Sequence, residues 1–154
     1  MKNKSQFVYV TYISSSAEKV WNALMDPEMT RKYWGHLNVS DWKVGSDWKH
    51  EDPSTGQVRI VGKVVESTPP RRLVITWAFP AEAQVQDKYT RVTFEIESAG
   101  KAVRLKVTHD ELEPGSEMES GITRGWPVVL SNLKTLLETG NAMETKELFA
   151  FSKK

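Results

Sequence analysis

RGWPVVLSNLKTLLETG, residues 124–140, is the last long apolar stretch of the chain, and its reading decides the fold. Trp126, Leu130, Leu133 and Leu137 recur at helical spacing, with Val129 and Leu136 widening the stripe. That pattern is a helix with one apolar face. The face must pack on something, either a filled core or a hollow that holds a ligand. Pro127 follows Gly125-Trp126 inside a segment that can be one helix from about Glu117 to Thr139. Proline lacks the N–H that a helix interior needs, so the long helix either starts at Pro127 or kinks there, and a kink could gate a cavity mouth.

Working outward, the remaining segments supply the other wall. Phe7 to Ile13 is dense in aromatic and β-branched residues and reads as a strand. SSSAEKVWNALMDP follows, with Ser15 or Ser16 as N-cap and Glu18 at capping-box spacing from Ser15. Val20, Trp21 and Leu24 form the inward face of that short helix. A second helix, about Pro27 to Trp34, opens with proline where helices tolerate it and closes at Gly35. From there to about residue 110 the chain reads as strands broken at Val44-Gly45-Ser46, Asp52 to Gly56 and Pro69-Pro70. The clearest hairpin alternates Val92, Phe94 and Ile96 with polar neighbours, turns at residues 98–101, and alternates again through Val103, Leu105 and Val107. One wet and one buried face is the signature of an antiparallel sheet. The expectation is a single α+β domain over residues 1–154: a curved antiparallel sheet of six or seven strands, two short helices, and one long C-terminal helix across the concave face.

The totals narrow the function classes. The 154 residues can enclose a core without staples. Twenty-one basic and 20 acidic residues leave a net charge of +1 with no block of either sign, so no nucleic-acid footprint is visible. The small basic groups Arg71-Arg72 and Lys153-Lys154 read as solvated. With no cysteine, disulfides, thiolate metal sites and cysteine nucleophiles are excluded, which suits a reducing compartment. QFVYVTYI near the start is too short and polar for a secretory signal, and no run approaches the ~20 apolar residues of a membrane helix. The expected location is cytoplasmic, with no membrane partner.

AEKVWNALMDPEMTRKYW, VGSDWKHEDPSTGQVRIVGKVVESTPPRRLVITW, TRVTFEIESAGKAVRLKVTHDEL and GWPVVLSNLKTLLETG, in this order, span nearly the whole chain. Together they resemble the START-like superfamily, also called SRPBCC or helix-grip. Within it the chain is similar to homologues of the activator of the ninety-kilodalton heat-shock chaperone ATPase, as a stand-alone counterpart of the activator's C-terminal domain. The resemblance implies a helix gripped by a seven-stranded sheet and a cavity for an apolar ligand. Lipid carriers, cyclases, hormone receptors and co-chaperone domains share that architecture, so the fold does not choose among them.

The residues offer three functions. The first is a small-molecule binder without a cofactor, its ligand contacted by Tyr33, Trp34, Trp48, Trp77, Phe94, His109, Trp126, Leu130 and Leu133. Converging tryptophans would line a pocket with indole N–H groups as orienting donors, or else fill the gap between helix and sheet. The second is an interaction module docking on a chaperone through an exposed apolar patch. The third is a cyclase- or hydrolase-like enzyme using His109 with Tyr33 or Tyr89. His109 falls on the buried face by alternation from Val103, where a histidine can serve as acid or base, or be a structural group bonded within the core. His36 and His50 read as surface residues, and no spacing such as H-x-x-x-H suggests a metal. No G-x-S-x-G elbow or phosphate loop is present. The polar strand faces suggest a monomer or weak dimer.

Overall fold

A computed structural model of the chain describes residues 3–153. The elements run β1 (Ser5–Ile13), α1 (Ala17–Met25), α2 (Pro27–Trp34), β2 (Leu37–Val39), β3 (Asp47–Glu51), β4 (Val58–Thr68), β5 (Arg72–Trp77), β6 (Thr90–Ala99), β7 (Ala102–Leu112), α3 (Glu117–Thr139) and α4 (Thr145–Ser152). The strands form one seven-stranded sheet in the order β1-β7-β6-β5-β4-β3-β2, antiparallel throughout. One crossing connection is needed, between β1 and β2 at opposite edges, and α1 and α2 occupy it. The expected α+β helix-grip architecture is what the chain forms.

Local chemistry sets the helix ends. Ser16, rather than Ser15, caps α1 by accepting from the Lys19 N–H at 3.2 Å. Asp26 ends α1 and caps α2 through the Glu28 N–H at 2.9 Å. Gly35 then stops α2 at φ 80°, a left-handed conformation that glycine adopts without steric cost. This stop leaves Trp34 and Tyr33 as the buried last turn of α2.

The sheet and α3 share one apolar core. Strand alternation puts Val103, Leu105, Val107 and His109 inward on β7. One extra residue is then spent between the pairs Phe7↔His109 and Ser5↔Leu112. Glu111 sits in this bulge at φ 59°, and Leu112 returns to the buried face. From α3, Ile122, Trp126, Val129, Leu130, Leu133 and Leu136 face the core.

Two features depart from the sequence reading. α3 runs unbroken from Glu117 through Pro127, so the helix does not begin at the proline. Tertiary packing of both flanking turns, with Trp126 and Val129 buried on either side, outweighs the missing hydrogen bond. The second departure is α4, which the sequence did not reveal. TKELFAFS has no side chain capping its start and no buried residue, so it lacks both the end signal and the stripe that identify a helix. Lys154 of the terminal basic pair lies outside the described residues.

Candidate functional site

Four elements deliver an aromatic cluster to one end of the core. Trp34 comes from the end of α2, Trp48 from β3, Trp77 from the end of β5, and Trp126 from α3. Trp77 is the hub. Its ring centroid lies 5.2 Å from Trp48, 5.4 Å from His109, 5.6 Å from Trp126 and 6.2 Å from Trp34. Phe94 meets Trp126 edge-on at 5.8 Å. These are the separations of tilted and stacked aromatic pairs. Six of the nine residues singled out from the sequence therefore meet here: Trp34, Trp48, Trp77, Phe94, His109 and Trp126. Tyr33 touches the cluster only at its edge, its ring 6.1 Å from Trp34, and Leu130 and Leu133 lie apart from it. The Tyr33 hydroxyl donates to the Ala23 carbonyl at 2.8 Å, and the two leucines are fully buried further along α3.

His109 is locked by its bonds. The Trp126 indole N–H donates to His109 Nδ1 at 3.0 Å, so in a neutral ring the proton sits on Nε2. Nε2 then donates to Thr90 Oγ1 at 2.7 Å, whose own proton goes to the Trp77 carbonyl at 2.8 Å. The chain Trp126→His109→Thr90→Trp77 is complete, and every proton in it is used. Burial holds the His109 pKa down at about 3. Both ring nitrogens are occupied, leaving none for substrate. Burial also raises the Tyr33 phenol well above its usual range, so it stays protonated. Tyr89 donates to the Ala83 carbonyl at 3.0 Å, outside this cluster.

The indoles of Trp48 and Trp77 differ in one respect. Trp48 donates its N–H to the Thr76 carbonyl at 2.7 Å, an approach possible only because Gly62 has no Cβ: one placed there would stand 1.9 Å from the Thr76 oxygen and 2.5 Å from the indole nitrogen. Trp77 is 6% exposed, and its Nε1 is the one buried side-chain polar atom without a partner among the described residues. Leaving a buried donor unpaired costs about 1–3 kcal/mol, so a native protein rarely tolerates it without a reason.

Beside Trp77 lies an apolar cavity of about 200 Å³. Trp34, Trp77 and Trp126 wall it on one side; Ile122 and Val129 of α3 and Phe149 of α4 line it too. Gly121 and Gly125, one helical turn apart on α3, also face it, and a Cβ on either would meet nothing within 4 Å. The hollow exists partly because these two positions carry no side chain. The sequence offered that signal in the spacing G-x-x-x-G ahead of Pro127, whereas nothing in it pointed to Phe149. A second, more polar recess of about 490 Å³ adjoins the first, sharing Phe79, Glu117 and Met118 with it.

His50 overturns its surface assignment. It is 6% exposed, because β3 alternation turns Trp48 and His50 to the same inward face. Its ring stacks on the half-buried His36 at 4.5 Å and 14°, and its Nδ1 bonds Asn38 Oδ1 at 2.5 Å. Among the described residues no group of three His, Cys, Asp or Glu side chains is placed to hold a metal ion, and no helix is long and apolar enough to cross a membrane.

Comparison with known proteins agrees with the architecture. The family model described as "Activator of Hsp90 ATPase homolog 1-like protein" matches residues 14–138. A search of curated proteins found no match. Among solved structures, an Hsp90 activator from Plasmodium falciparum superposes with TM-score 0.70 at 26% identity, covering 86% of this chain and 95% of that one. A protein from Mesorhizobium loti gives 0.73 at 24% identity, covering 86% and 96%. The Aha1 dimer from Colwellia psychrerythraea gives 0.72 at 22%, covering 88% and 98%. The last two carry the fold alone. With a family model covering most of its length and the helix-grip architecture in place, the chain belongs to the family of Activator of Hsp90 ATPase homolog 1-like proteins.

Proposed function

We propose that this chain binds a small hydrophobic molecule in the cavity beside Trp77, and that the ligand carries a hydrogen-bond acceptor for the Trp77 indole. The observation that carries the reading is the unpartnered, buried Nε1 on a residue lining an apolar cavity. Small-molecule sites combine such an apolar lining with a few placed polar groups. Catalysis is disfavoured by the spent nitrogens of His109, so no reaction is assigned. The test is a titration with fatty acids, flavonoids, sterols and aromatic polyketides, followed by intrinsic fluorescence and melting temperature together. A binder changes the fluorescence saturably and raises the melting temperature with it. Trp77→Phe keeps the ring and removes the donor; binding unaffected by that change would remove Nε1 from the site.

A second reading, docking on a chaperone, draws on the family and on a surface feature. Val8, Val10 and Tyr12 project from the outer face of the edge strand β1 with 43%, 39% and 54% exposure. Stimulation of a chaperone ATPase, abolished by Val8→Glu/Val10→Glu, is the outcome that supports it; unchanged stimulation in that variant moves the contact elsewhere.

A further inference from the structure

A third basin neighbours the apolar cavity, and its chemistry is different. It holds about 570 Å³ and is lined by His36 and His50, Asp52 and Arg59, Lys146 of α4 and Lys153 at its C-terminal end. Trp34 and Phe149 border both hollows. We propose that this basin binds an oxyanion, such as a phosphate or sulfate group, and that binding draws a proton onto the stacked His36–His50 pair.

Three independent observations converge on that chemistry. First, His50 is more than nine-tenths buried as a residue, its Nδ1 is bonded to Asn38, and its Nε2, unlike the enclosed Nε1 of Trp77, is without a partner but not sealed from the basin the residue lines. Because Asn38 Oδ1 accepts from Nδ1, Nε2 is a bare lone pair on a residue that lines the basin. His36 is arranged the same way: its Nδ1 faces the Trp34 carbonyl at 3.4 Å, which leaves Nε2 as the other bare nitrogen. Second, Thr145 and Lys146 at the start of α4 line the basin, and no side chain bonds the N–H groups of its first turn, although the carboxylates of Glu144 and Glu147 flank that start. An uncapped helix start presents unsatisfied N–H groups and the positive end of the helix dipole. Third, the charged side chains that line the basin are mostly positive. Arg59 comes from β4, Lys146 from α4 and Lys153 from just past its end, against Asp52 as the one carboxylate among the lining residues. Asp52 is already engaged by the Ser54 N–H and hydroxyl at 2.9 and 2.7 Å, and by Arg59 at 3.9 Å.

The proton follows from the same geometry. Two neutral imidazoles stack at 4.5 Å without penalty, but a charge on one is opposed by burial, by the other ring and by Arg59. Burial lowers the His36 pKa as well, with the Trp34 carbonyl and then Asp52 pulling the other way. A bound oxyanion reverses this balance. It supplies the missing negative charge and turns a lone pair that would repel it into an N–H that donates to it.

The experiment uses the intact chain and sulfate, which stays fully ionised across the working range. Histidine ring resonances and backbone amides are followed by NMR from pH 7 to 5.5, with sodium chloride at matched ionic strength as control. The expected result is saturable shifts of His36, His50 and the Lys146 amide with sulfate alone. Sulfate affinity should rise roughly five- to tenfold per pH unit on acidification, the linkage of about one proton. Arg59→Gln and Lys146→Gln, both changes of surface charge, should each weaken binding severalfold. Inorganic phosphate and phenyl phosphate, compared at one pH, separate a free oxyanion from the head of a larger molecule: tighter binding of the ester assigns the latter. Shifts reproduced by chloride, no saturation by 50 mM sulfate (roughly the weak limit for a specific anion site), or affinity independent of pH would each overturn the proposal.

Discussion

The two ends of the core are built from the same helix and sheet, yet one is closed and the other hollow. At the closed end Ile13, Val20, Ala23, Leu130 and Leu133 are all fully buried, and Tyr33 spends its hydroxyl on α1. At the other end five aromatic rings crowd together but leave about 200 Å³ open, with one indole N–H unanswered. The difference lies in side-chain size along α3. Leu130 and Leu133 reach the sheet, while Gly121 and Gly125 present nothing to it. Aliphatic side chains interdigitate to native density; here large flat rings from five elements meet at tilted angles beside two glycines and leave a gap.

Truncation at the two ends separates them most sharply. Leu133→Ala opens a new void in a filled region and is expected to cost about 3–4 kcal/mol in urea unfolding. Ile122→Ala, which borders space already empty, should cost roughly half as much. Equal costs would erase the distinction.

The relay through His109 is the next test. Thr90→Val keeps the shape but strands the Nε2 proton of His109 in the core, with an expected loss of about 2 kcal/mol. Because the hydroxyl serves both His109 and the Trp77 carbonyl, the near-ultraviolet dichroism of the tryptophans should change with it. An unchanged spectrum and stability would break the assigned chain.

Acidification probes the same group. The unfolded chain protonates His109 near pH 6.5, whereas the folded chain holds it neutral down to about 3. The unfolded state therefore binds more protons in this window, and stability falls as pH falls. His109 alone contributes a loss of about 1.5 kcal/mol between pH 6.5 and 5, and the depressed His50 acts in the same direction. Stability flat over that range would contradict a neutral buried pair of histidines.

The smallest effect has an informative sign. Gly125→Ala meets no neighbour and should stabilise α3 by about 0.5–1 kcal/mol, raising the melting temperature of the free protein. The added methyl also intrudes on the cavity, so ligand affinity should fall as stability rises. A gain in both would place the ligand elsewhere.

How much of this was readable in advance depended on the range of the interaction involved. Periods of 3.6 and 2 identified α3, the β6–β7 hairpin and the inward position of His109, since each is a local pattern. The same alternation would have placed His50 beside Trp48, but the charged neighbours Lys49, Glu51 and Asp52 obscured it. α4 carries neither cap nor stripe, so its presence is decided by what it packs on. Asn132 of α3, fully buried, donates to the carbonyls of Tyr33 and Met143 and accepts the Met143 N–H, which ties down the segment leading into α4.

The sequence by itself determined the types of the elements up to α3, the inward faces of β6 and β7, the helix ends at Asp26 and Gly35, and the family resemblance, because propensity, capping and periodicity act over a few residues. Only the tertiary structure decided that Pro127 lies inside a helix, that His109 is consumed by Trp126 and Thr90, and that Trp48 has a partner for its N–H while Trp77 has none. Those outcomes depend on atoms from different elements meeting within about 3 Å, the reach of a hydrogen bond, a distance that residue order does not encode.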